Sequence, residues 1–262
     1  MSVAIETTIV IPQRNDGEIL RAQVPEVYRW LAGRGESFEL LVIDDCSVDS
    51  TRETLLELMD EYEHMRVVRL NRPAGISAAL TVAFQEARGG RIAALSAGSS
   101  YSLQLMDNVL NDLCRADMAV GRPKRSGAGK LLHRIARIPR WALLGLQVRD
   151  PECLFWACRR EVVVGVELAR GMYRYLATYV SMRGYRVAEV SLDETRRTHR
   201  TGLRDSWPNP MDLLTVWWTQ RRWPQFASVP LTRSSQDSSV ETIRIDRPHV
   251  AMPTDVEQKK SA

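Results

Sequence analysis

The chain is short of the features that would mark a zinc finger, a secreted disulfide scaffold or a membrane-spanning protein. Its four cysteines, Cys46, Cys114, Cys153 and Cys158, lack the short paired intervals of tetrahedral zinc sites, a pattern that predicts reduced thiols in a cytoplasmic protein. No apolar run approaches the roughly 18 to 20 residues that a membrane-spanning helix needs. The opening residues, MSVAIETTIVIP, hold no basic segment followed by a long apolar stretch and a cleavage site, so neither a signal peptide nor an anchor is expected. Charge of one sign is also scarce. Thirty-six Lys and Arg against 32 Asp and Glu leave a net +4, which suits anionic phosphates or a negatively charged membrane surface. No nucleic-acid motif accompanies that charge, so a nucleic-acid partner is not expected.

What is present is repetition. The apolar, β-branched runs at residues 7–11 and 38–43 read as strands buried on both faces, as in a parallel sheet. Helical spacing over 18–34 separates them. A helix over 53–62 follows, with Asp49 or Ser50 available as its cap, then a strand over 65–70. A helix at 76–88, a strand at 91–95, a helix at 103–115 and a short strand at 118–120 continue the alternation. This order predicts an α/β fold, a doubly wound and mostly parallel sheet whose ligand crevice lies beyond the carboxyl ends of its strands. After Gly121 the basic stretch PKRSGAGKLLHRIARIPR predicts a mobile loop and a basic helix, and residues 150–163 and 173–190 complete the same domain. A late helix spans about 211–222. The polar, aromatic-poor stretch beyond it predicts a domain over 1–227 and a disordered tail over 228–262.

Two short segments carry the chemistry. LVIDDCSVDST (residues 41–51) runs a buried strand into two adjacent carboxylates and a hydroxyl-rich turn, whereas LSAGSS (residues 95–100) holds no carboxylate at all. Asp44 and Asp45 can accept hydrogen bonds from the donors of a base and a ribose; they can equally satisfy loop amides, with Ser47 and Asp49 capping a helix. Hydroxyls and a glycine are poor ligands for a hard cation without carboxylates beside them.

These phrases resemble the family-2 glycosyltransferases, and in pattern those acting on polyprenyl phosphates. IVIPQRND (residues 9–16) is similar to that family's VxIPxxNE, and residues 43–51 to its VDDxSxDxT. Asn71, Gly75, Ala78 and Ala79 match its asparagine-glycine phrase, DPECLFWACRRE (residues 150–161) a later acceptor-side phrase, and DLLTVWWTQRR (residues 212–222) its late helix. The resemblance implies the GT-A fold and a nucleotide-sugar site formed by Pro12, Asn15, Asp16, Asp44, Asp45, Ser47 and Gly75, with Pro12 and Asn15 shaping the loop. The family's two metal-binding aspartates align with Ser96 and Gly98. The resemblance therefore implies no metal site here, no other cofactor, and weak or absent Mg or Mn dependence. Phosphate neutralisation then falls to arginines, chiefly Arg122 and Arg125 with Arg134 behind them, because guanidinium matches phosphate oxygens bidentately.

Asp150 stands at the implied acceptor side, and the resemblance implies that Arg197 and His199 lie in a loop that helps enclose the diphosphate. Asp150, before Pro151, also reads as a turn residue, and His199 in its arginine-rich loop as an exposed side chain. The function implied is transfer of a sugar from a UDP- or GDP-type nucleotide-sugar to a polyprenyl-phosphate-type or other acceptor. The alternative is a catalytically inactive relative that keeps the scaffold for nucleotide or protein binding. Trp217, Trp218 and Trp223, interleaved with Arg221 and Arg222, suit either core packing or peripheral contact with the inner membrane face.

Overall fold

Residues 4–99, 101–123, 153–192 and 214–218 are described by the computed structural model. β1 (Thr7–Gln13), β2 (Phe38–Asp44), β3 (Met65–Arg69), β4 (Arg91–Leu95), β5 (Met118–Pro123), β6 (Phe155–Arg159) and β7 (Val187–Leu192) form one seven-stranded sheet in the order β3-β2-β1-β4-β6-β5-β7. β6 is antiparallel to β4 and β5, and the other pairings are parallel, so six strands run one way and β6 alone runs against them.

The alternation of apolar residues in the central strands is what builds two cores. Ile9, Ile11, Leu40, Val42, Ala93 and Leu95 point to one face and pack under α1 (Gly17–Gly33), α2 (Thr51–Glu61) and α4 (Leu103–Asn111). Val10, Leu41, Ile43, Ile92 and Ala94 point to the other, under α3 (Ile76–Glu86), α5 (Arg160–Val163) and α6 (Leu176–Met182). Strands buried on both faces read as continuous apolar runs, which is why the sequence shows no polar alternation there.

Several elements extend past or stop short of their expected bounds. β1 runs through Pro12 to Gln13, where Pro12 pairs with Ile43 and Gln13 with Asp44, so Pro12 is a strand residue and not a loop residue. Gln13 directs its carbonyl to Asp45 N–H on the β2 side, so Pro12 faces the β4 side. The β1–β4 ladder has already ended there at Val10 and Ala94, and the missing proline donor costs no bond. β5 continues to Pro123 because it gains a partner in β7, which sets Arg122 opposite Ser191 in a strand and not in the expected loop. α4 ends at Asn111 and tightens into a 3-10 turn at Asp112–Cys114. Of the late helix, residues 214–218 are helical, with Val216 in the second core and Trp217 packed against it. Its ends, the basic stretch after Pro123 and the division of the chain near residue 228 lie outside the described residues. No helix among the described residues is long and apolar enough to cross a membrane.

Candidate functional site

Because β1 is flanked by β2 on one side and β4 on the other, the chain order reverses across it. The crevice beyond the carboxyl ends of β1 and β4 is therefore the place where an open α/β sheet receives a ligand. Three strand-end residues stand in register there, Gln13, Asp44 and Arg69. Asp44 is 1% exposed, and its Oδ1 accepts from Gln13 Nε2 at 2.8 Å, from Ser47 N–H at 3.1 Å and from the Ser47 hydroxyl. Its Oδ2 lies 3.7 Å from Arg69 Nε, and Arg69 Nη2 donates to Ser47 O at 2.9 Å. A buried carboxylate is tolerated only with such pairing, and here the partners come from the two flanking strands and a loop.

Asp45, equally buried, spends both oxygens on the loop before α3. Oδ1 accepts from Ala74 N–H at 2.6 Å and Oδ2 from Gly75 N–H at 3.0 Å. Gly75 has φ +86°, a conformation that glycine adopts without steric cost. The loops after β1 and β2 are laced to each other: Asn15 N–H donates to Ser47 Oγ at 2.9 Å, and Val48 N–H donates to Asn15 Oδ1 at 2.9 Å. Asn15 and Cys46 are the non-glycine residues with positive φ among those described, at 55° and 56°, and both lie in these two loops. Asp16 is 4% exposed and accepts from Arg14 N–H at 3.3 Å. Gly17 N–H donates to Thr51 Oγ1 at 3.0 Å; a Cβ on Gly17 would stand 3.0 Å from Thr51 Cα, so glycine is what lets α1 and α2 start side by side.

The structure thus gathers Pro12, Asn15, Asp16, Asp44, Asp45, Ser47 and Gly75 at one edge. Arg122 lies on the same edge at the end of β5, with Nη1 3.9 Å from Glu189 Oε2. Arg125, Arg134, Asp150, Arg197 and His199 lie outside the described residues. Sequence reasoning missed Gln13, Arg69 and Gln23. Gln13 is fully buried and its Oε1 finds no hydrogen-bond partner, leaving one acceptor beside Asp44 unsatisfied.

The turn after β4 is built differently. Ser99 N–H donates to Ser96 O at 3.0 Å, and Gly98 sits at φ +66° while Ala97 does not have a positive φ, the pattern of a type II turn. Gln23 of α1 reaches it with both ends of its carboxamide: Nε2 donates to Ser96 O at 3.2 Å, and Gly98 N–H donates to Oε1 at 3.0 Å. Beneath the turn, between α1 and α4, lies a cavity of about 510 Å³ lined by Gln23, Trp30, Leu95, Ser99, Tyr101 and Phe155 among others.

With the edge and its turn in view, comparison with known proteins places the chain. It belongs to glycosyl transferase family 2, whose model matches residues 8–163. It is 24% identical over 233 residues to a dodecaprenyl-phosphate galacturonate synthase of Rhizobium johnstonii, covering 83% of this chain and 68% of that one. It is 29% identical over 175 residues to a dolichol-phosphate mannosyltransferase of Pyrococcus furiosus, covering 63% and 49%. Thus the chain spans about two thirds of the first and half of the second. Among solved structures it is similar to glucosyl-3-phosphoglycerate synthase of Mycobacterium tuberculosis in complex with Mn2+, UDP and phosphoglyceric acid, with a TM-score of 0.58 and 17% identity over 87% of this chain and 80% of that one. A mannosyltransferase of Pyrobaculum calidifontis in complex with GDP-Man and Mn2+ gives 0.56 and 16%, over 72% and 56%. These likenesses show the GT-A fold.

A divalent cation of the Mg2+ or Mn2+ kind asks for hard oxygen ligands, carboxylates foremost. The turn after β4 offers the hydroxyls of Ser96 and Ser99 and backbone only. Asp44 and Asp45 are turned into the protein's own hydrogen bonds, and no group of three or more His, Cys, Asp or Glu among the described residues is placed to hold a metal. The described residues do not fit a cation site.

Proposed function

We propose that the chain is a glycosyltransferase that moves a sugar from a UDP- or GDP-type nucleotide donor to a polyprenyl-phosphate-type acceptor, without a divalent cation at the turn after β4. The observation that carries this reading is the cluster of Asp16, Asp44, Asp45, Asn15 and Ser47 at the switch point of a family-2 sheet. The names of the relatives supply the acceptor class. In the reaction an acceptor phosphate oxygen forms the new bond to the anomeric carbon, the bond from that carbon to the nucleoside diphosphate breaks, and the diphosphate leaves with the electron pair. A phosphate oxygen is already anionic near neutral pH, so no general base is required. The charge gathering on the leaving group is the harder demand. Arg122, with Arg125, Arg134, Arg197 and His199, is assigned to it, and Asp150 to the acceptor side. Asp16 and Asp45 hold the nucleoside side, Asp45 by keeping the loop before α3 in place.

The test is transfer of radiolabelled sugar from UDP- and GDP-sugars to undecaprenyl phosphate in detergent, with chelator and with Mn2+. Transfer in chelator is the expected result. Transfer that appears only with Mn2+ overturns the cation-free part of the reading.

A second reading, an inactive relative that binds nucleotide or a protein partner, is favoured by one observation: every carboxylate oxygen of Asp44 and Asp45 has a partner within the chain. It predicts no transfer with any donor under either condition. Peripheral membrane contact is proposed for the helical segment 214–218, where Leu214 and Trp218, one turn apart, are 45% and 54% exposed while Val216 is buried. Co-sedimentation with anionic vesicles, reduced in Trp218→Ser, is the expected result.

A further inference from the structure

The turn after β4 is fixed by a neutral side chain. Gln23 presents a planar carboxamide whose N–H and C=O meet a backbone carbonyl and a backbone N–H two residues apart, as a neighbouring strand would. Ser96 O takes two donors, from Ser99 N–H and Gln23 Nε2, and the Gly98 N–H that a type II turn leaves unbonded is taken by Gln23 Oε1. The helix that carries Gln23 is itself held by Leu20, Val24 and Val27, all fully buried under β1 and β4, so the carboxamide is delivered from a rigid base. Gln23 and Ser99 also line the cavity between α1 and α4, so the clamp stands between that cavity and the strand-end crevice.

We infer that Gln23 is a positioning residue: it fixes the donor-side turn that coordination by two aspartates to a cation would otherwise fix. The inference rests on the proposed reading that a nucleoside diphosphate is the ligand. Its physical content is separate, because a neutral amide clamp gains nothing from a cation. Affinity at the turn then responds to loss of Gln23 and not to Mn2+.

Two variants and two measurements test it. Gln23→Met keeps the length and helix propensity of the side chain and removes both bonds. Gln23→Glu keeps an acceptor for Gly98 N–H and loses the donor to Ser96 O. Amide hydrogen exchange at Gly98, with Ile9 in the core as internal control for folding, reads the clamp. Calorimetric titration with UDP and GDP in chelator and in Mn2+ reads the positioning. In Gln23→Met, Gly98 exchange should rise about tenfold or more and affinity should fall about tenfold in both conditions, the scale of one or two neutral hydrogen bonds. Gln23→Glu should lie between it and the parent protein. Unchanged Gly98 exchange in Gln23→Met overturns the clamp. Faster exchange with unchanged affinity overturns the positioning role and leaves a structural bond. A parent protein that binds neither nucleotide overturns the donor reading, and the positioning role with it, while Gly98 exchange still reports whether the clamp exists.

Discussion

The loops after β1 and β2 and the turn after β4 face one crevice, yet they are held in opposite ways. The first are rich in carboxylates that are buried and engaged: Asp44 binds Gln13, Ser47 and Arg69, and Asp45 binds two backbone amides. The second has no carboxylate and is held by the amide of Gln23. Removing a buried charge strands every donor around it, whereas losing a neutral amide leaves only backbone groups that water can reach. One half of the site is thus electrostatically locked, the other lightly pinned.

The largest way to break this comparison is Asp44→Ala, which leaves Arg69, Gln13 and Ser47 without their acceptor and should cost about 3 kcal/mol in urea unfolding. Ser96→Ala should cost less than about 0.5 kcal/mol. Equal losses would contradict the locked and pinned distinction. Next comes Asp45→Asn, which turns an NH2 group toward one of the Ala74 and Gly75 amides; about 1 to 2 kcal/mol of stability should go, with weaker nucleotide binding.

Gly98→Asp, alone or with Ser96→Asp, places a side chain at φ +66° and should cost about 1 kcal/mol. Placing acids here therefore strains the turn before any cation can reward it. Mn2+ that raises the melting temperature of the double variant by several degrees, and not that of the parent, would show that the fold accepts a cation there.

A smaller effect separates two cysteines. Cys46 sits half-buried in the strained β2 loop, while Cys158 is fully buried in β6, where burial pushes its thiol well above the ordinary 9.0. Well below pH 9 the Cys158 thiol is protonated both folded and unfolded, so it adds no pH dependence there. As pH rises beyond that, the unfolded chain ionises while the folded one does not, and stability falls. Cys158→Ala should flatten the slope of urea midpoint against pH above 9. Iodoacetamide at pH 8 should modify Cys46 long before Cys158, and bound nucleotide should slow the Cys46 reaction.

How far this was legible in sequence differs between the same two regions. The β-α-β order, and the place of Asp44 and Asp45 at a strand end, followed from apolar runs ending in polar turns, because both signals are local; Asp16 came from the family resemblance. Where partners are distant, local pattern was silent. β5 lengthens over Arg122 because β7, some 70 residues on, pairs with it, and β6 runs against the direction of its neighbours, which no local pattern announces. Pro12 read as a loop residue through the family resemblance; the early end of the β1–β4 ladder makes room for it inside the strand. Gln23 carried no signal at all, since a glutamine in a helix is ordinary until the turn it reaches is seen.

The central claim is that the donor side works without a cation. Calorimetric titration of the intact chain with UDP and with GDP, each in Mn2+ and in excess chelator, tests it most directly. The account predicts binding of at least one nucleotide with the same affinity in both. Binding that vanishes in chelator would contradict it.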